Sequence, residues 1–170
     1  TSFYTGEKMA QSVTQYRCLI TSPSDLVEER QKITETVNNW NAIIGSTLGL
    51  NIDPVRWETH ALPDLHANPQ TVINEQIVKN ADFAIALFWS KIGTSTEKYD
   101  SGSIEEIEIL LKMGKPILLY FSLKPIPHDK LNSKELARLE EFKESIKIRG
   151  LYNEFTNNEE LVTKVQLQIT

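Results

Sequence analysis

One cysteine stands among the 170 residues, so Cys18 has no partner for an internal disulfide. It lies inside an apolar run and reads as a small core residue. A basic excess is missing as well: 18 Lys and Arg against 23 Asp and Glu leave a formal charge of −5, which gives no electrostatic footprint for nucleic acid. No apolar run approaches the roughly 18 residues that span a bilayer. The first residues are polar and lack the apolar stretch of a signal peptide. These absences together set the expectation of a reducing, cytoplasmic setting with neither membrane nor nucleic acid as partner. The seven glycines form no G-x-G-x-x-G after a strand and no G-x-x-x-x-G-K-[ST] loop, which argues against Rossmann-type and P-loop phosphate binding. There is no G-x-S-x-G elbow, which weakens a hydrolase triad. His60, His66 and His128 fall in predicted loops without ligand spacing, so no metal site is expected and they read as solvated loop residues.

What is present is a regular alternation. The length suits one domain, expected over residues 16–170. Residues 1–15 show no apolar period and read as a flexible lead or an expression remnant, with Met9 a candidate native start. The chain stops at Gln168-Ile169-Thr170 inside a helical pattern, which sets the expectation of further domains in a longer protein. Tyr16 to Thr21 reads as a first strand. Ser22-Pro23-Ser24-Asp25 follows, with Ser22 as N-cap, Pro23 at the first helical position and Asp25 at the third, close to a capping box. The helix then runs through Leu26, Ile33, Val37, Trp40 and Ile44 to Gly45 or Gly49. Glu28, Glu29 and Arg30 read as its solvated face, as do Glu140 and Glu141 of a later helix.

Leu50 to Trp57 reads as a second strand, and Pro54 within it argues for an edge position or a bulge. After an irregular stretch from Glu58 to Ala67, Pro69 suits the first turn of a helix carrying Val72, Ile73, Ile77 and Val78 and closed by Asn80. Asp82 to Trp89 is nearly all apolar, as a strand buried on both faces requires. The polar loop Ser90 to Ser101 is long for a compact domain, and such loops tend to be functional. A helix ending at Gly114, a strand from Ile117 to Ser122, a charged amphipathic helix from Ser133 to Ile148, a short strand from Leu151 to Phe155 and a last helix capped at Asn157 or Asn158 complete the series. Strands alternating with helices predict a parallel sheet covered on both faces, and the flavodoxin-like order 2-1-3-4-5 is the expected one.

The helix before Gly114 carries the most informative side chain. Wound at about 100° per residue, it sets Glu105, Glu108 and Lys112 on one side, an ordinary solvated face. Glu106 falls between Leu110 and Met113 on the apolar side. A carboxylate there costs free energy unless something pairs with it or uses it. It also lies near the helix start, after a strand, where open α/β sheets place their ligand crevices. The bland alternative is a boundary glutamate whose stem packs on the core while its head reaches water. Trp89, ending the central strand, either lines such a crevice or plugs the core.

At these residues the chain resembles the TIR-like domains of bacterial multidomain defence and signalling proteins. The likeness rests on Ser22-Pro23-Ser24-Asp25-Leu26 with Glu28-Glu29-Arg30 after the first strand, on Asp82 to Gly93, on Ser101-Gly102-Ser103 with Glu106, and on Gly114-Lys115-Pro116 before an apolar strand. It covers residues 16–122 well and the remainder loosely. Gly102-Ser103-x-x-Glu106 is also similar to the nucleoside deoxyribosyltransferases. Ser103 stands where TIR patterns commonly carry a Trp, which draws this chain toward the transferase-like version. The resemblance implies a flavodoxin-like fold and, in enzymatic members, hydrolysis of NAD at its nicotinamide–ribose bond. It implies Glu106 as the catalytic residue, NAD as substrate rather than cofactor, and self-association. The opening of the first helix is a candidate substrate contact: Ser22, Ser24 and Asp25 surround N–H groups that can hold a phosphate or ribose hydroxyl, unless they only cap the helix. Trp89 and Ser103 complete the candidate set. A non-enzymatic module that signals by self-association and a nucleoside or nucleotide N-glycosidase or transferase remain open beside the NAD-cleaving reading.

Overall fold

A computed structural model describes residues 10–56, 76–93 and 102–170. Five strands form one parallel sheet: β1 (Thr14–Thr21), β2 (Leu50–Val55), β3 (Phe83–Phe88), β4 (Ile117–Ser122) and β5 (Glu154–Phe155). The order across the sheet is β2-β1-β3-β4-β5, the flavodoxin-like order. The helices named below are α1 (Val27–Trp40), α2 (Gly102–Lys112), α3 (Ser133–Ile148) and α4 (Asn158–Ile169). Met9, the loop with His60 and His66, the helix expected from Pro69 through Val72 and Ile73, and residues 94–101 of the long loop after β3 lie outside the described residues. So does Trp57; the second strand ends at Val55.

The uninterrupted apolar character of β3 follows from burial on both faces. Ala84, Ala86 and Phe88 pack with Leu19 under α2 and α3, against Ile104, Ile107, Leu110, Leu139, Phe142 and Ile146. Ile85, Leu87 and Trp89 turn to the other face, where α1 and α4 supply Ile33, Val37, Trp40, Leu161 and Val165. An aromatic cluster fastens β3, β4 and α3. Phe88 stacks on Phe121 at 5.5 Å between ring centroids and meets Phe142 edge-on at 4.9 Å. Each such ring contributes about 1.5–3 kcal/mol by burial. Cys18 is wholly buried here, and burial pushes its thiol pKa up, so it behaves as the core residue its sequence context suggested.

α2 ends in a motif that its sequence announces. Gly114 adopts φ 72°, its N–H reaches the carbonyl of Leu111 at 3.0 Å, and Lys115 N–H reaches Leu110 at 3.0 Å. This Schellman pairing satisfies the last carbonyls before Pro116 opens the next strand. Met113 lies beyond the helix and is 48% exposed, so the apolar side on which it was placed stops at Leu110. The solvated face assigned to α1 also fails in part. Glu29 is 4% and Arg30 8% exposed, because they sit three and four residues after Leu26 and therefore on its buried stripe.

β2 is an edge strand, as Pro54 indicated. After Trp40, α1 runs into a π-helical turn, Asn41–Gly45, and a last turn, Ser46–Leu48, before Gly49 ends it with φ 70°. This path brings the Asn41 amide against Ile52. Its Nδ2 donates to the Ile52 carbonyl at 2.7 Å and its Oδ1 accepts the Ile52 N–H at 2.7 Å. The side chain thus takes the place of a neighbouring strand on an otherwise open edge. Among the described residues no helix is long and apolar enough to cross a membrane.

Gly45 allows the same close approach. A Cβ added there would lie 2.5 Å from the Leu50 carbonyl oxygen and 3.0 Å from the Trp40 ring. Since the first obstacle is backbone, Gly45→Ala is expected to lose about 1–3 kcal/mol despite the better helix propensity of alanine. Urea unfolding of the variant checks this; equal or greater stability would refute the tight contact.

Candidate active site

The site begins with a change of direction in the chain. β1 and β3 lie side by side, with Cys18 to Thr21 paired to Phe83 to Ala86. The chain leaves β1 for α1 on one face and leaves β3 for α2 on the other. Strand ends that part in this way open a crevice at the carboxyl edge of the sheet.

Alternation along β1 decides what faces that crevice from below α2. Leu19 packs under α2, and Thr21, two residues on, points to the same side. There it meets the first turns of α2. Thr21 Oγ1 donates to Glu106 Oε2 and lies 3.3 Å from Ser103 Oγ. Glu106 is 5% exposed and Thr21 7%, so the carboxylate does not snorkel to water. The structure therefore brings Ser103 and Glu106 together, and adds Thr21, which the sequence reading missed. The available signal was its position as the last residue of the strand beside the central one.

Glu105 corrects an expectation. It was assigned to the solvated face, but it is 7% exposed. Ile104 through Ile107 are four buried residues in succession, so this turn is enclosed around its whole circumference and has no solvent side. Glu108, one turn on, is half-buried and pairs with Arg149 at 2.7 Å.

The segment after β1 departs from the capping-box reading. Residues Ser24–Leu26 form a 3-10 turn with Pro23 at its N-cap, and α1 proper begins at Val27, with no side-chain cap on either. Ser22 Oγ donates instead to the Pro23 carbonyl at 3.0 Å. Ser24 is exposed. Asp25 turns away from the helix toward the end of β3, where its Oδ2 accepts from Ser90 N–H at 3.2 Å and from Ser90 Oγ at 2.5 Å. A carboxylate gains more from these two donors than from one helix N–H, which explains the choice. Asp25 Oδ1 is buried and takes no donor among the described residues.

Trp89 is a core plug. It is 5% exposed, and its indole N–H donates to the Lys124 carbonyl at 2.8 Å. Lys124 folds back so that its ammonium sits 4.2 Å from the Trp89 ring centre and 3.2 Å from Glu29 Oε2. The buried charge of Glu29 is thereby paired, and the β4–α3 connection is tied to α1. No group of three or more His, Cys, Asp and Glu side chains suited to a metal occurs among the described residues.

With this geometry in place, comparison with known proteins gives a family. A domain of unknown function, DUF4062, matches residues 19–170. The chain belongs to the DUF4062 family. No curated protein matches it. Among solved structures, this DUF4062 domain is similar to the RPS4 and RRS1 TIR domain heterodimer, at 12% identity and a TM-score of 0.48, covering 91% of this chain and 95% of that one. It is similar to the CMP N-glycosidase BcmB of Clostridium botulinum, at 16% identity and a TM-score of 0.41, covering 89% and 98%. Oxidised Flavodoxin 1 from Bacillus cereus follows at 12% identity and a TM-score of 0.42, covering 91% and 94%. At such distances these likenesses assign no activity.

The Asp25–Ser90 clasp can be measured directly. Asp25→Ala and Ser90→Ala are each expected to destabilise the domain, and the double variant to lose less than their sum. The coupling should be about 1–3 kcal/mol, the range for hydrogen bonds to a charged group. Strict additivity in denaturant titrations would mean that the two side chains act separately and that Asp25 serves α1 after all.

Proposed function

We propose that this domain cleaves the nicotinamide–ribose bond of NAD, with Glu106 as the catalytic carboxylate. The observation that carries the reading is a buried glutamate at the carboxyl edge of the sheet, held by the Thr21 hydroxyl where the parting of β1 and β3 places a ligand crevice in folds of this order. Most O-glycosidases need two carboxyl groups, one to protonate the leaving oxygen and one to attack or activate water. Nicotinamide departs from a cationic ring, takes the electron pair of the breaking C–N bond and is neutral as it leaves. No acid is required. The sugar carbon becomes an oxocarbenium ion, which one carboxylate stabilises or captures. Water then adds at that carbon and loses a proton. A carboxylate shielded from solvent acts more strongly on developing positive charge than one in water.

The remaining candidates take binding roles in this reading. Asp25 offers a buried oxygen that takes no donor among the described residues, which suits a sugar hydroxyl. Ser22 and Ser24 stand beside the start of α1, whose first turn has no side-chain cap and suits a phosphate. NAD is the substrate and no cofactor is invoked. Trp89 is left out of the contact set, since its N–H and ring are already engaged. The Ser103 hydroxyl beside Thr21 favours a second reading, cleavage of a nucleoside or nucleotide N-glycosidic bond with or without transfer of the sugar. Self-association belongs to both. Ile43 and Leu167, each 73% exposed, border a groove where the end of α1 meets α4, and an apolar surface of that kind suits assembly with another copy or with further domains. A cytoplasmic place in bacterial defence or signalling is the biological setting that goes with this reading.

Base release from NAD, nucleosides and nucleoside monophosphates, followed by chromatography, tests the assignment. Glu106→Gln is expected to lower the rate on the order of 10²–10³-fold. Glu108→Gln should leave it nearly unchanged. Glu105→Gln should cost stability rather than chemistry, because adjacent helical residues point about 100° apart. Full activity in Glu106→Gln, or equal losses in all three, would sink the role of Glu106. A second expectation concerns concentration: specific activity should rise as the domain is concentrated or fused to an oligomeric scaffold. If a clustered domain self-associates yet releases no base from any substrate, the non-enzymatic module replaces the enzyme.

A further inference from the structure

We infer that Thr21 is a positioning residue for Glu106, and that Ser103 fixes the direction of its hydrogen bond. The inference rests on the reading of Glu106 as the working carboxylate. It starts from a count of protons. Thr21 has one hydroxyl hydrogen and two neighbours within reach, Glu106 Oε2 and Ser103 Oγ. An ionised carboxylate only accepts, so the Thr21 hydrogen goes to Glu106. Ser103 Oγ lies 3.3 Å from Thr21 Oγ1; with the Thr21 hydrogen committed to Glu106, the hydrogen between the two hydroxyls has to come from Ser103. The result is a one-way chain, Ser103 to Thr21 to Glu106, that stabilises the ionised carboxylate through its Oε2.

The backbone makes this chain specific. Thr21 closes β1 and is in register with Ala86 of β3, so its Cβ is fixed by the sheet. Ala86 lies in the core packed under α2, and its methyl group is the smallest side chain that fills that place. Ser103 and Glu106 are three residues apart on α2 and therefore share a face. One strand hydroxyl is thus set against two groups of one helix face. A leucine or valine at the same position would pack as well and would leave Glu106 Oε2 without this donor. A threonine is the side chain that keeps both the branched shape and the donor.

Thr21→Val preserves the shape and removes the hydroxyl; Thr21→Ser preserves the hydroxyl. In base-release assays Thr21→Val is expected to lower kcat roughly 10- to 100-fold with KM changed by less than about 3-fold, the split expected when a group acts through the catalytic residue and not on the substrate. Thr21→Ser should recover most of the loss, and Ser103→Ala should fall between them. A readout without turnover accompanies this: the carboxyl carbon resonance of Glu106, assigned by its disappearance in Glu106→Gln and followed through a pH titration. Its midpoint should be higher in Thr21→Val than in the wild type, since a hydrogen bond to the charged form is lost. Glu105, Glu108 and Lys112 on α2, Tyr16, Arg17 and Cys18 on β1, Asp25 beyond its end and Lys91 beyond the end of β3 are ionisable groups on or next to these elements, and they are the same in both proteins, so the difference isolates the hydroxyl. Unchanged kcat and an unchanged midpoint in folded Thr21→Val would overturn the inference while leaving Glu106 in its role. A higher midpoint in Thr21→Val, with a wild-type domain that releases no base, would do the reverse, keeping the contact and ending the catalytic reading. Should Thr21→Val fail to fold, Thr21→Ser and Ser103→Ala decide by the same two measurements. A Ser103→Ala variant with wild-type kcat and midpoint would remove Ser103 from the chain.

Discussion

The seam between β1 and β3 is the constraint on which the described site depends. Four residue pairs join the two strands, and beyond them the chain goes to opposite faces. Each group discussed above lies within a few residues of that parting. Thr21, Ser22 and Asp25 follow β1, Trp89 and Ser90 follow β3, and Ser103 and Glu106 open α2. The clasp from Asp25 to Ser90 spans the parting, where backbone pairing has ceased. The crevice is therefore a product of topology, and its chemistry is supplied by side chains that the sheet does not need for its own pairing.

Among the described residues three glutamates, Glu29, Glu105 and Glu106, sit below a tenth exposure, and the contacts described for them differ. Glu29 has a cation, Lys124, which also covers Trp89 and fixes the β4–α3 connection. That arrangement resembles ordinary structural pairing, since loss of Lys124 would leave a buried charge. Glu106 has a hydroxyl, Thr21, among its partners. A hydroxyl orients the carboxylate oxygen that it bonds and brings no charge of its own to it. Glu105 is enclosed on the same turn but points away from Glu106 by about 100°. Burial alone ranks Glu29 and Glu106 together; the contacts described differ, a lysine on Glu29 and a threonine hydroxyl on Glu106.

The sheet order was legible because the signals that set it are local and repeated: apolar runs, breaks at Pro and Gly, and β3 with no polar residue to mark a solvent face. Gly114 and Asn157 were legible for the same reason, since a helix stop and an N-cap are written within a few residues. The cap at Asn157 is formed, its side chain accepting Glu160 N–H at 2.8 Å. Ser22-Pro23-Ser24-Asp25 carries an equally good local signal and does something else. There a partner 65 residues away, Ser90, outcompetes the helix N–H groups. Glu106 could be found because a single wheel isolates a charge on an apolar side. Glu105 and Arg30 could not be placed by assuming one solvent side for each helix, because enclosure depends on how many elements surround a turn. Thr21 was invisible for a related reason: its meaning comes from Glu106, 85 positions later.

The same geometry bears on why one carboxylate can suffice. Two carboxyl groups acting on opposite sides of a glycosidic bond must stand apart and face each other, several ångströms across the sugar. Neighbouring positions on a helix cannot do this, so Glu105 is no second catalytic group for a substrate that meets Glu106. A site built this way is restricted to leaving groups that need no proton. A pyridinium base meets that condition at once, whereas a neutral purine or pyrimidine meets it only after protonation by a group from elsewhere. Under the proposed reading, then, Glu105 adds no second catalytic carboxylate to Glu106. Nicotinamide release is the reaction that asks least of such a site, because it needs a carboxylate and no acid, whereas release of an ordinary nucleobase would need a proton donor besides Glu106.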